Sequence, residues 1–175
     1  LFLIIGSLVL AGVLGWTFFL KPYQRDRITV FLNPQSDPLG RGYNLTQSIV
    51  AIGSGQFFGR GLGFGSQSQL RFLPESRTDF IFAVLAEELG MAGVLLFLSF
   101  YIALFYLMIR AATRAQDDFG VFLTLGITMS LFIQAFMNVS MNMGLAPVTG
   151  LSLPLISYGG SYLLTTMAML GIVQS

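Results

Sequence analysis

Asp79 is the residue of this chain best placed to do proton chemistry, because two cations, Arg71 and Arg77, stand just before it. A carboxylate beside arginines that hold an anionic phosphate ligand is suited to act as a general base on a hydroxyl. A structural reading competes with this one. Ser76, Arg77, Thr78 and Asp79 have the Ser-x-x-acid spacing of a capping box, and an acid in the first turn favours the positive end of a helix. The two readings are compatible, and the residues alone leave both open. Glu87 and Glu88 follow, ahead of Gly90 and Gly93. On one continuous helix Asp79 and Glu87 would lie about 80° apart in projection and about 12 Å apart along the axis. They could then line one cavity without sharing a proton.

Other chemistries are narrowed by composition. The chain has no Cys and no His, which removes disulfides, thiolate metal sites and the commonest general base. Gly53, Gly55, Gly59, Gly61, Gly63 and Gly65 form a glycine-rich run. It lacks the GxGxxG spacing after a strand and has no Gly-Lys-Ser/Thr, so it does not read as a nucleotide loop. It is expected instead to let the chain turn tightly against a membrane surface. A net charge of +1 gives no support to nucleic-acid binding.

The elements that position these residues are apolar helices. Hydrophobic residues are 54% of the 175 and charged residues 10%, against about 25% charged in soluble domains, and the mean hydropathy is +0.76. A membrane-crossing helix needs about 20 apolar residues. Four stretches qualify, at residues 1–20, 80–110, 119–145 and 158–174, all within a single membrane domain. An all-α polytopic helical bundle is the expected fold class. Both ends of the chain look like cuts in a longer protein. The loop 21–79 carries seven of the nine basic residues and four of the six prolines, and loops of that length are usually functional. Within it, residues 43–52 are amphipathic and suited to lie along a membrane surface. The positive-inside tendency argues for a cytoplasmic loop, but it weakens at this length, and basic residues are also kept to bind anions. In the stretch 119–145, Ser130, Gln134, Asn138 and Asn142 recur every fourth residue. Such a stripe serves either as interhelical hydrogen-bond glue or as the lining of a substrate cavity.

Three long motifs point to a family. GSQSQLRFLPESRTDFIFAVLAEELG over residues 65–90 and NPQSDPLGRGY over 33–43, followed by Gln47-Ser48 and residues 51–55, closely resemble the RodA/FtsW/SpoVE (SEDS) family. So do Asn138, residues 144–147, Gly150, Leu153-Pro154 and SYGGS over 157–161. The details of the first motif are more like RodA than FtsW. The resemblance implies a ten-helix bundle of which these would be helices seven to ten. Loops 21–79 and 146–157 would then be extracellular and loop 111–118 cytoplasmic, in the bacterial inner (plasma) membrane. It further implies a peptidoglycan glycosyltransferase that polymerises lipid II, the undecaprenyl diphosphate-linked disaccharide peptide, into glycan strands during wall elongation. A class B penicillin-binding protein would be the partner that cross-links them.

Carried over residue by residue, the family's essential acid falls on Asp79, as general base. Gln67, Arg71, Glu75, Arg77, Glu87 and Ser157 are expected to meet substrate. A divalent cation, Mg or Mn, is a candidate helper for the departing diphosphate, with no certain cofactor. Three positions depart from the family pattern. Gln56 stands where a glycine usually follows Gly-Ser-Gly, Tyr162 stands where a small residue follows Gly-Gly-Ser, and Arg77 replaces a His before Thr-Asp. The first two imply local repacking, and the third keeps a cation beside Asp79 while removing a titratable one. Two other functions stay open on the same residues: a lipid II flippase or transporter, which would not need a base at Asp79, and a non-enzymatic membrane scaffold for a penicillin-binding protein.

Overall fold

Short local signals set the start of each helix in the polar half of the chain. The structure, a computed structural model, describes residues 21–65, 76, 78–115 and 117–174. The expected span 1–20 lies outside them. Helix α1, Pro22–Leu32, has proline at its first position, where the missing N–H costs nothing, and Gln24 Oε1 accepts the Lys21 N–H at 3.0 Å. A single 3-10 turn, Pro34–Ser36, leads to α2, Arg41–Ser54. The Asp37 carboxylate accepts the Arg41 N–H at 2.8 Å at the start of α2. The stretch expected to be amphipathic is thus helical. Its buried face is Gly42, Leu45, Ser48 and Ala51, spaced by three residues as one helical stripe requires.

Three apolar helices follow: α3, Ile81–Ala112, α4, Asp118–Asn142, and α5, Gly160–Gln174. No strand occurs among the described residues. Helices α3 and α4 are long and apolar enough to cross a membrane. Asp117 caps α4 by accepting the Gly120 N–H at 3.3 Å. The far end of α4 stops short of the expected residue 145, because Gly144 takes φ +72°. There the Gly144 N–H donates to the Met141 carbonyl and the Leu145 N–H to the Ser140 carbonyl, the paired bonds of a Schellman ending.

Contrary to the expectation of one continuous rod, α3 is broken at Gly90, with φ 65° and ψ −168°. The groups freed by the break are met by the glycine-rich run. Arg60 and Gly61 N–H donate to the Glu87 and Glu88 carbonyls, both at 3.0 Å, while Met91 and Ala92 N–H donate to the Gln56 and Phe57 carbonyls at 2.9 and 3.0 Å. Glycine is required for this approach. A Cβ on Gly55, Gly59 or Gly90 would collide with the backbone opposite. The run therefore turns against the broken helix, and its close approach to α3 requires glycine at positions 55 and 59. Beyond the break, residues 91–112 rise about 33 Å, enough to cross a hydrocarbon core of about 30 Å.

The core follows the length of the bundle. Ala51, Phe80 and Ala83 join α2 to the start of α3. Phe82, Tyr101, Ala135 and Leu153 join α3, α4 and the α4–α5 loop. Met108, Ile127 and Leu131 hold the far end against Met169 and Leu170 of α5. Outward faces carry Leu95, Phe100, Ile102 and Phe136, all exposed, as a lipid-facing or partner-facing surface requires.

One departure from the family pattern lies beside the break. Gln56 is held at φ 50°, a left-handed conformation that costs a non-glycine residue about 1–2 kcal/mol. Gln56→Gly should therefore raise the melting temperature of the detergent-solubilised complete protein. Gly90→Ala should lower it by several degrees, while Gly126→Ala, where an added Cβ meets nothing within 4 Å, should leave it near its starting value. A Gly90→Ala protein as stable as the parent would show that the break is not built as described.

Candidate functional site

Asp79 lies before α3, not within it. The helix starts at Ile81 with Phe80 as its N-cap, and no side chain caps it. The Ala83 and Val84 N–H groups are met by the Phe80 carbonyl instead. The capping-box reading of Ser76 to Asp79 is thus corrected: the helix begins too late for it. Phe80, 1% exposed, anchors the segment in the core, a burial worth about 1.5–3 kcal/mol.

Side chains from α4 hold the backbone of this segment. Asn138 Nδ2 donates to the Asp79 carbonyl at 2.9 Å and to the Leu151 carbonyl at 2.6 Å. Asn142 Nδ2 donates to the same Asp79 carbonyl at 3.0 Å and to the Asn138 carbonyl at 2.8 Å. Both lone pairs of the Asp79 carbonyl are therefore used. Both asparagines are fully buried, where an amide left without partners costs about 1–3 kcal/mol. The α4 stripe thus serves as hydrogen-bond glue at these two positions. One turn of helix earlier, Gln134 accepts from the Tyr162 hydroxyl at 2.5 Å. The tyrosine that departs from the family pattern has found a partner on α4.

Ser157 was expected to meet substrate. Instead its Oγ donates to the Thr78 carbonyl at 2.6 Å and accepts the Leu153 N–H at 2.7 Å. Its single proton is spent on positioning the residue before Asp79. Glu87, expected to line a cavity with Asp79, is 0% exposed and lies under the glycine-rich run, whose Gly55 packs on Ala86 and Glu87. The projection on one continuous helix fails because Asp79 lies before the helix start at Ile81, not because of the later break at Gly90. Gln67, Arg71, Glu75 and Arg77 lie outside the described residues.

The Asp79 side chain is half-buried and faces the α4–α5 loop. A Cβ built on Gly150 would sit 3.4 Å from its Oδ2, and Gly150 takes φ +72°, so the carboxylate rests against a bare backbone. The same loop is gripped by Arg27 of α1, whose Nη1 donates to the Thr149 carbonyl at 3.2 Å. Sequence reasoning did not single out Arg27: it sits in a basic loop with no periodicity to mark it, and only the fold brings it to residue 149. The loop is further fixed by Tyr101 of α3, whose hydroxyl donates to the Pro154 carbonyl.

What this arrangement can do is hold one carboxylate at a fixed place, with a cation nearby. Among the described residues no group of three or more His, Cys, Asp or Glu side chains converges to hold a metal. A cavity of about 860 Å³ lies at the opposite end of the bundle, between α3, α4 and α5, with Arg110, Arg114 and Asp117 in its lining. It lies apart from Asp79, and its acid, Asp117, is occupied in capping α4.

The FtsW/RodA/SpoVE family model, described as cell cycle protein, matches residues 1–175. The peptidoglycan glycosyltransferase MrdB of Escherichia coli (strain K12) is 52% identical over 160 residues, covering 91% of this chain and 43% of the relative. The probable peptidoglycan glycosyltransferase FtsW of Thioalkalivibrio sulfidiphilus is 45% identical over 174 residues, covering 98% of this chain and 43% of the relative. The chain therefore spans less than half the length of these relatives. Among solved structures, a chain of a peptidoglycan synthase complex that coordinates polymerization and crosslinking is similar at a TM-score of 0.73 and 34% identity. That match covers 98% of this chain and 47% of the other.

The shared carbonyl gives a stability test. Asn138→Ala and Asn142→Ala should each destabilise the protein by about 1–3 kcal/mol. The double variant should depart from the sum, because both amides serve one acceptor and only their joint loss leaves it without either. Thermal unfolding of the four proteins measures this, and strictly additive losses would contradict the shared clasp.

Proposed function

Because this chain belongs to the FtsW/RodA/SpoVE family of cell cycle proteins, we propose that the complete protein is a RodA-like peptidoglycan glycosyltransferase that polymerises lipid II into glycan strands. The family and the two long apolar helices make it a membrane protein. Within the proposal it is a multi-pass protein of the bacterial inner membrane, with loop 21–79 and Asp79 on the outer face. Similarity to MrdB exceeds that to FtsW, 52% against 45%, which supports the RodA-like reading and a role in wall elongation. A class B penicillin-binding protein is the proposed partner, supported by the likeness to a chain of a peptidoglycan synthase complex.

One observation carries the mechanism: the backbone of Asp79 is clamped by two buried asparagines while its carboxylate lies against the Gly150 backbone. Glycan elongation joins a sugar hydroxyl to an anomeric carbon as a lipid diphosphate leaves. Asp79 takes the hydroxyl proton as the new C–O bond forms, the anomeric C–O bond to the diphosphate breaks, and its electron pair leaves with the lipid. Positioned proton transfer of this kind is worth about 10²–10⁴-fold in rate. Clamping the backbone limits the side chain's freedom before substrate arrives, which is how positioning contributes to catalysis. Arg71 and Arg77 remain proposed diphosphate contacts, with Gln67 and Glu75 nearby in sequence. Mg or Mn, if used, would supply positive charge to the departing diphosphate.

Given lipid II, the purified complete protein with its partner should make glycan strands. Asp79→Asn should cut the rate by at least about 10²-fold while leaving complex formation intact. Normal polymerisation by Asp79→Asn would remove the base assignment, loss of lipid II translocation without any polymerase activity in the parent would favour a transporter, and a change in partner binding alone would favour a scaffold. Orientation is tested separately. In an otherwise cysteine-free complete protein, Ser36→Cys should react with an impermeant maleimide on intact spheroplasts. Thr113→Cys should react only after permeabilisation, and the reverse pattern would place Asp79 on the wrong side.

A further inference from the structure

Arg27 and Asp79 both meet the Thr149–Gly150 peptide unit. The guanidinium holds the Thr149 carbonyl, and the carboxylate lies against the α-carbon of Gly150. The two do not form an ion pair with each other, and among the described residues Arg27 has no carboxylate partner. It is half-buried, its Nε is buried without a hydrogen-bond partner, and its other neighbour is the Tyr23 ring, with the guanidinium carbon 6.0 Å from the ring centroid. Arginine offers five N–H donors in a planar fork matched to phosphate oxygens. Here one hydrogen bond to a neutral carbonyl holds the fork in place, and no carboxylate among the described residues meets its charge. A buried donor in this state calls for an anionic ligand.

We propose that Arg27 binds the diphosphate of the lipid-linked substrate, an inference that rests on the glycosyltransferase reading. The division of labour follows from charge. The hydroxyl proton goes to Asp79, and the electron pair of the broken anomeric C–O bond goes to the diphosphate, whose growing negative charge Arg27 meets. The Thr149–Gly150 peptide keeps the two charges apart, so neither neutralises the other before substrate enters. The grip on Thr149 also ties α1 to the loop that carries Gly150, so the anion site and the base move as one unit.

The test measures binding without turnover. In the complete protein with its partner, carrying Asp79→Asn to stop the reaction, affinity is measured for undecaprenyl diphosphate and, as a neutral control with the same tail, undecaprenol. Arg27→Gln should weaken diphosphate binding about tenfold or more and leave undecaprenol unchanged. Arg27→Lys, which keeps the charge but not the fork, should lose less. Unchanged diphosphate affinity in Arg27→Gln overturns the proposal. So does equal loss for both lipids, which would mark Arg27 as purely structural through Thr149. Normal polymerisation by Asp79→Asn alone would defeat the glycosyltransferase mechanism instead, whatever the Arg27 result.

Discussion

The carbonyl of Asp79 accepts hydrogen bonds from two buried asparagine amides, and the arrangement of this end of the bundle follows from this. A backbone carbonyl just ahead of a helix start has no helical partner of its own. Left alone among Phe80, Ala83 and the packed loop it would destabilise the segment. The two amides come from successive turns of α4, so satisfying the carbonyl also fixes α3 against α4. The same asparagines reach the Leu151 carbonyl and, through Ser48, the α2 helix, whose serine donates to the Asn142 carbonyl at 2.8 Å. One acidic residue is therefore held by elements distant in sequence, and its carboxylate lies against the Gly150 backbone.

The break at Gly90 complements that clasp. A continuous α3 would be longer than the hydrocarbon core and would carry Glu87 and Glu88 toward the membrane. Interrupting the helix exposes two N–H groups and two carbonyls, which in an apolar setting must be satisfied within the protein. The glycine-rich run does so with four backbone hydrogen bonds. This divides α3 into a short first piece next to Asp79 and a long second piece apolar enough to cross a membrane. The first piece is thereby supported by the polar loop as well as by α4.

Much of this was legible in the sequence. Hydropathy marked α3, α4 and α5, the amphipathic stretch marked α2, and the four-residue spacing of Asn138 and Asn142 marked a shared stripe. The rest depended on contacts that no local pattern encodes. Gly90 at positive φ reads, in sequence, like any other helix glycine, and only the partner loop shows why it breaks the helix. Glu87 projects near Asp79 only if the helix reaches back to residue 79; the helix starts at Ile81, and Glu87 is buried under the glycine-rich run. Ser157 sat in a motif suggestive of substrate binding, yet its proton is used on the Thr78 carbonyl. Arg27 was hidden for the opposite reason: a lone arginine in a basic loop acquires meaning only when a residue 122 positions away supplies its partner.

The account stands or falls on where an acceptor sugar sits. An experimental structure of the complete protein with its partner, carrying Asp79→Asn and trapped with lipid-linked substrate, would show this directly. The attacking hydroxyl should lie within about 2.6–3.2 Å of the residue-79 side chain, with Asn138 and Asn142 still on its carbonyl. A substrate bound elsewhere, with this side chain turned into packing or lipid, would contradict the central claim.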